Sequence, residues 1–239
     1  MASTLNIRST IGWCGSFVNF MPLLSGGQDP ALTTANIVLE TILGAPFVWP
    51  WNRNTTSITL VPAAGETPAT QDYAEVVETF GFLEGASLTD PDANTYPVEI
   101  RRFLTKSGET SRPLHVAAQY DDQQGTITFR TSTLPDLAYT LTLDWQAKAP
   151  LLQSVGSAWS VPDELGYMFN WGFLAIASML TKDARWQIFN TKFIAHVLGA
   201  QAGLDEMQKQ LFLGNWTGAM QAAERAQQQA QQGIQARAQ

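Results

Sequence analysis

Two periodicities divide this chain. Toward both ends, apolar residues recur every three or four positions, as one face of a helix requires. Across the middle they recur every second position, as a half-buried strand requires. The longest helical pattern opens at Val161-Pro162-Asp163-Glu164, with proline beside the first turn and two acids set against the positive end of the helix dipole. Leu165, Met168, Phe169, Phe173, Ile176 and Leu180 follow at helical spacing. Asp183 is placed to cap a second helix, whose apolar stripe is Trp186, Phe189, Phe193, Ile194, Val197 and Leu198. Gly199 and Gly203 loosen its end, and Leu204 to Phe212 continues in helical pattern. Near the other terminus, Gly26-Gly27 marks a turn and Asp29-Pro30 the start of a helix over Ala31–Leu43, with Ile37, Val38, Thr41 and Ile42 on one side. Gly44 and Pro46 end that helix, and a dense aromatic run, Phe47-Val48-Trp49-Pro50-Trp51-Asn52-Arg53, follows.

The middle of the chain reads as strands. Ser57–Val61, Thr126–Arg130 and Tyr139–Trp145 alternate polar and apolar, the last with Tyr139, Leu141, Leu143 and Trp145 on one face. Leu83–Leu88, Val98–Leu104 and Leu114–Tyr120 are also strand-like, and turn signals recur at Asp90-Pro91-Asp92, Lys106-Ser107-Gly108 and Asp122-Gln123-Gln124-Gly125. The expected fold is α+β. Residues 1–53 and 151–218 make a helical domain from both chain ends, and 54–150 form an inserted antiparallel β-sandwich or barrel-like domain. Residues 219–239 form a Gln/Ala-rich C-terminal arm with good helix propensity but no apolar face of its own, so it is either disordered or docked on something else.

Composition narrows the function classes. The chain has 239 residues, enough to bury a core, and 45% of them are hydrophobic. Charged residues make up only 15%, which leaves two readings open: a surface that meets other protein, or one rich in uncharged polar side chains. A net charge of -7 provides no basic footprint for gripping DNA phosphates. The single cysteine, Cys14, rules out an internal disulfide and fits synthesis in a reducing cytosol. The apolar stretch Ile11–Leu24 is too short to span a bilayer, carries Asn19, and reads as a buried segment.

Catalytic signatures are missing. The two histidines, His115 and His196, have no Gly-x-Ser-x-Gly elbow to serve. His196 lies on an apolar helix, and Cys14 beside Trp13 reads as a buried thiol. There is no Cys-x-x-Cys, His-Glu-x-x-His or EF-hand loop; Asp90-Pro91-Asp92-Ala93-Asn94 carries oxygens on alternate positions but lacks the required Gly and Glu, so it reads as a turn. No phosphate loop occurs. The reading is a non-enzyme with no cofactor and no metal. A hydrolase built on Cys14 or a serine with His196 stands as one alternative, and a carbohydrate- or host-binding module as another. The latter would use Trp145, Tyr139 and the Phe47–Trp51 cluster as exposed platforms.

Three segments carry a resemblance. They are Ser160–Ala175 (with Tyr167-Met168-Phe169-Asn170-Trp171-Gly172-Phe173), Arg185–Phe193 followed by Leu198–Leu204, and the N-terminal helix followed by Ala45–Arg53. Together with the order helix, β domain, helix pair, they resemble the head-to-tail adaptor, or tail tubular, proteins of the neck of short-tailed bacteriophages. The resemblance implies a structural virion protein, made in the host cytoplasm, that forms a homo-oligomeric ring, commonly of twelve subunits, under the portal protein. It implies that the ring surrounds the DNA channel, that DNA passes without specific binding during genome ejection, and that no membrane is involved. The β domain would meet a downstream tail, nozzle or fibre protein. The C-terminal arm would dock on the portal, with Gln221, Glu224, Arg225, Gln228, Ile234 and Arg237 as contacts. Subunit contacts would fall to Trp171, Phe173, Trp186 and Phe193. A neighbouring neck component, such as a tail terminator or nozzle, shares the same pattern.

Overall fold

Helical stretches from the two ends of the chain and strands from its middle are both present, so the protein is α+β. The structure, a computed structural model, describes residues 3–17, 30–63, 69–75, 79–121, 126–201 and 203–237. The Gly26-Gly27 turn, Asp29, the apolar residues 18–24 and the Asp122–Gly125 turn lie outside the described residues. Contacts divide the chain into two units, Met1–Phe47 with Ala149–Gln239, and Val48–Lys148. The aromatic run therefore splits: Phe47 goes with the helices and Val48–Trp51 with the strands.

In the first unit, strand β1 (Ser3–Asn6) leads into helix α1 (Ile7–Cys14), whose first turn is capped by Asn6 accepting the Arg8 and Ser9 amides. Helix α2 spans Pro30–Leu43. Its buried stripe is Ala31, Thr34, Ala35, Val38, Leu39 and Ile42, one step round the helix from the side expected. Ile37 and Thr41 are only partly covered, and the short Ala31, Thr34 and Ala35 let the neighbouring helix come close. Strand β10 (Ala158–Val161) pairs antiparallel with β1 and feeds helix α3 (Asp163–Leu180). From Met168 to Ser178 nearly every side chain of α3 is buried, which makes it the central helix. It touches α1, α2, α4 (Trp186–Ala200) and α5 (Glu206–Arg237). A Cβ on Gly172 would lie 2.7 Å from Val38 Cγ1 and 2.8 Å from Phe193 Cε2, so only glycine lets α2, α3 and α4 meet there.

Two helix starts differ from the pattern reading. Asp183 does not cap α4 directly: Arg185 holds the cap position, and Asp183 accepts the Arg185 amide and guanidinium at 2.8 to 3.0 Å. That pairing pulls the Asp183 carboxyl down to about 2. The helical pattern after Leu204 belongs to a new helix. Asp205 accepts the Gln208 amide at 2.7 Å while Gln208 Oε1 accepts the Asp205 amide at 3.0 Å, a reciprocal capping box that opens α5.

The second unit is a sandwich of two four-stranded sheets, in the orders β2-β9-β4-β5 and β3-β8-β7-β6. The strands are β2 (Arg53–Leu60), β3 (Asp72–Glu75), β4 (Phe80–Thr89), β5 (Thr95–Pro97), β6 (Glu99–Ile100), β7 (His115–Asp121), β8 (Thr126–Thr131) and β9 (Tyr139–Ala147). Ile58, Leu60, Leu88, Leu141 and Leu143 from one sheet pack against Val116, Ile127 and Phe129 from the other. Tyr139 and Trp145 share the buried face of β9 with the two leucines. A bulge between Phe80 and Phe82 brings Gly81 so close to β9 that a Cβ would lie 2.8 Å from the Gln146 carbonyl.

The expected strand Val98–Leu104 shrinks to Glu99–Ile100, and its pairing with β7 is parallel, unlike the antiparallel pairs around it. The chain from Arg101 to Leu114 lacks alternation and runs as a loop held by side chains: Gln71 Oε1 accepts the Ser107 amide at 3.0 Å, and Arg130 Nη1 donates to the Leu104 carbonyl at 3.2 Å. Arg130 is itself fixed by Asp72, with Lys106 joining the same carboxylate, so Asp72 titrates below the usual carboxylate range.

Candidate assembly surface

Helix α5 combines a buried stripe with an exposed one. Its 32 residues extend about 48 Å at 1.5 Å per residue. One stripe, Phe212, Trp216, Met220 and Ala223, is buried in the helical unit. The Trp216 ring lies tilted against Phe193, centroid to centroid 4.3 Å, and donates its indole N–H to Asn190 Oδ1 at 2.6 Å, which satisfies the one polar atom that burying a tryptophan brings along. The stripe's last anchor is Gln227, whose amide donates to the Leu180 carbonyl at 3.4 Å. The expected arm boundary at 219 is thus not a break: the helix runs through it, and Met220 and Ala223 belong to the core.

The opposite stripe is open. Met207 is 75% exposed and Leu211 49% exposed. One and two turns on, Gly214 and Gly218 have empty space where a Cβ would stand. Beyond them the exposed residues turn polar: Gln221, Glu224, Arg225 and Gln228 all face solvent. For Ile234 and Arg237 the backbone is helical and the side chains lie outside the described residues. A groove of about 390 Å³ flanks this face, with Glu40, Gly44 and Ala45 on one side and Asn215, Gly218 and Ala222 on the other.

The four aromatic residues expected at subunit contacts are placed differently. Phe173 and Phe193 are fully enclosed, and Trp171 is nearly so, because α2, α4 and α5 of the same chain cover them. Trp186 at the start of α4 is partly exposed. Around Trp171 the rings form a stack: His196 lies parallel at 6.3 Å, Tyr167 and Trp13 stand edge-on, and Lys192 Nζ sits 4.4 Å from the ring centroid. The indole N–H of Trp171 is buried without a hydrogen-bond partner among the described residues. Exposed apolar side chains on this unit are instead Tyr167, Ile188, Met207, Leu211 and Leu151.

The groups weighed for chemistry sit apart. Cys14 is buried, its thiol pushed up by desolvation, and its Sγ contacts the Asn170 carbonyl rather than an imidazole. His196 packs between Tyr167 and Trp171. His115 lies beside Glu99 and Arg101 on the sandwich. Among the described residues no group of three or more His, Cys, Asp or Glu could hold a metal ion. Asp90 is occupied as a turn former, accepting from the Asn94 amide, the Asn94 side chain and the Tyr96 hydroxyl. The platforms needed for ring stacking on sugars are mostly covered: Tyr139, Trp145, Phe47 and Trp49 are buried, and only Trp51 of that set is exposed. No helix among the described residues is long and apolar enough to cross a membrane.

No protein-family model matches the chain, and no curated protein resembles it significantly.

Proposed function

We propose that this chain is a structural adaptor of a bacteriophage virion: it closes into a homo-oligomeric ring beneath the portal, surrounds the DNA path, and holds the portal through its C-terminal helix. The observation that carries this reading is α5. A helix anchored as far as Gln227, with Gln228, Gln229 and Gln232 exposed beyond it, has the form of an arm that is already ordered, so docking would not have to meet the full entropy cost of folding it. The docking residues in this reading are Gln228 and those beyond it, with Glu224 and Arg225 at the base. The inserted sandwich then serves as the module that meets tail, nozzle or fibre protein, and the low charge of the chain suits a surface that is largely covered after assembly. Subunit contacts fall to Ile188, Met207, Leu211 and the glycine notch at Gly214 and Gly218, since Phe173 and Phe193 are spent inside the subunit. A head-to-tail contact between two different patches is what generates a ring. The acidic balance suits a conduit that lets DNA slide.

The test is the mass of the purified protein by light scattering on a sizing column, alone and with a portal ring. A stoichiometric complex with the portal, lost when the chain is truncated after Gln227, is the expected result. A full-length chain that ignores the portal removes this reading.

A further inference from the structure

We propose that the groove between α1 and α3 is a socket for an arginine side chain presented by a partner protein. This goes beyond the adaptor reading and does not depend on it. The groove is an open one of about 370 Å³, lined from β1 and α1 by Asn6, Thr10 and Trp13, and from α3 by Asp163, Tyr167 and Asn170. The spacing explains the convergence. Asp163, Tyr167 and Asn170 stand at i, i+4 and i+7 on one helix face, and Asn6, Thr10 and Trp13 repeat the same intervals opposite.

The lining is chemically one-sided. Among the described residues Asp163 is its only charged side chain, and no Lys, Arg or His contributes to it. The Asp163 carboxylate makes no hydrogen bond or ion pair among the described residues. Thr10 Oγ1 donates to Asn170 Oδ1 at 2.8 Å, which leaves that oxygen a second lone pair to offer. Tyr167 is 49% exposed and Trp13 partly so, which leaves two ring surfaces at the groove. A single exposed anion in a groove that also holds two aromatic rings and an amide acceptor is complementary to a planar cation that can stack and donate several hydrogen bonds in one plane. That describes guanidinium better than ammonium, which is compact and strongly hydrated. An anionic ligand would meet the Asp163 carboxylate, with Glu164 next to it in the first turn of α3. Arg8 on α1 is exposed and outside the lining, as is Lys192, whose ammonium lies over the Trp171 ring that Tyr167 and Trp13 meet edge-on.

The experiment uses the full chain labelled with ¹⁵N and follows the indole N–H resonance of Trp13, assigned by its loss in Trp13→Phe. N-acetyl-arginine methylamide should shift it saturably, with a dissociation constant on the order of 1–10 mM for so small a ligand. The citrulline counterpart, equal in shape and uncharged, should bind about tenfold more weakly. Asp163→Asn should weaken the arginine ligand to the same degree, Tyr167→Leu should also weaken it, and Glu164→Gln should leave it unchanged. An equal response to citrulline, indifference to Asp163→Asn, or no saturable shift would each overturn the socket. So would maltotriose binding in preference to the arginine ligand, which would make the groove a sugar site. Portal binding is untouched by any of these outcomes.

Discussion

Helices α3 and α5 lie in the same unit and both bury aromatic rings, yet they are built for opposite ends. Over its central turns α3 is covered on every side, so each residue there is judged by fit: Gly172 is tolerated because two neighbours press on it. In contrast, α5 is covered along one stripe and over little more than half its length, and its Gly214 and Gly218 are pressed by nothing. A glycine inside a helix costs stability unless something uses the space. In α3 the use is internal and visible. In α5 no such use is visible among the described residues, and the proposed adaptor reading would place it in a neighbouring subunit.

The largest expected effect tests whether the buried stripe of α5 is core in the same sense as α3. Trp216→Ala removes a fully buried ring and leaves the Asn190 carbonyl without its donor, and should cost about 3–5 kcal/mol in urea unfolding, as much as Phe169→Ala in α3. A loss under about 1 kcal/mol for Trp216→Ala alone would mean that α5 is a loosely attached element along its whole length.

How much of this could be read from the sequence depended on whether the signal was local. Strands β2, β8 and β9 show themselves by alternation, because one face of each meets the opposite sheet, and α3 and α4 show themselves by apolar residues at helical spacing, although α3 is covered all round over its central turns. Strands β1 and β10 are four residues each and pair across some 150 positions, so no window contains their reason for existing. The same is true of Asp72–Glu75, which becomes a strand because β8 is beside it. The start of α5 is legible in the sequence, since Asp205-x-x-Gln208 ahead of Leu211 and Phe212 is a capping-box signature. At the candidate surface, the polar character of the arm was plain in its composition. Which aromatic residues would face outward was not, since a helical pattern shows that Phe173 and Phe193 want cover without saying whether their own chain or another provides it.

Glycine-to-alanine exchanges sharpen the contrast by sign. Gly172→Ala drives a methyl group into Val38 and Phe193 and should destabilise by about 1–3 kcal/mol. Gly218→Ala meets open space in a helix interior and should stabilise the isolated chain by about 1 kcal/mol. Thermal unfolding of the two variants measures both. If Gly218→Ala destabilised the isolated chain, the notch would have an internal role, and the subunit-contact reading would lose its support.

The smallest effect on stability is expected from the largest excision. Truncation after Gln227 removes the last ten residues of α5 together with the two that follow it, and leaves Phe212, Trp216, Met220 and Ala223 in place with the Gln227 anchor. Because Gln228, Gln229 and Gln232 are exposed, little apolar surface is uncovered, and the midpoint of urea unfolding should shift by no more than about 0.5 kcal/mol equivalent. The far-ultraviolet signal should nevertheless fall by the helicity of those ten residues, if they are helical before any partner arrives. Unchanged stability with lost helicity describes a preformed arm. Unchanged stability with unchanged helicity describes a tail that becomes helical only on docking, and the entropy advantage argued for the arm would then disappear. A large loss of stability would make the segment part of the subunit's own fold, and the contrast with α3 would collapse.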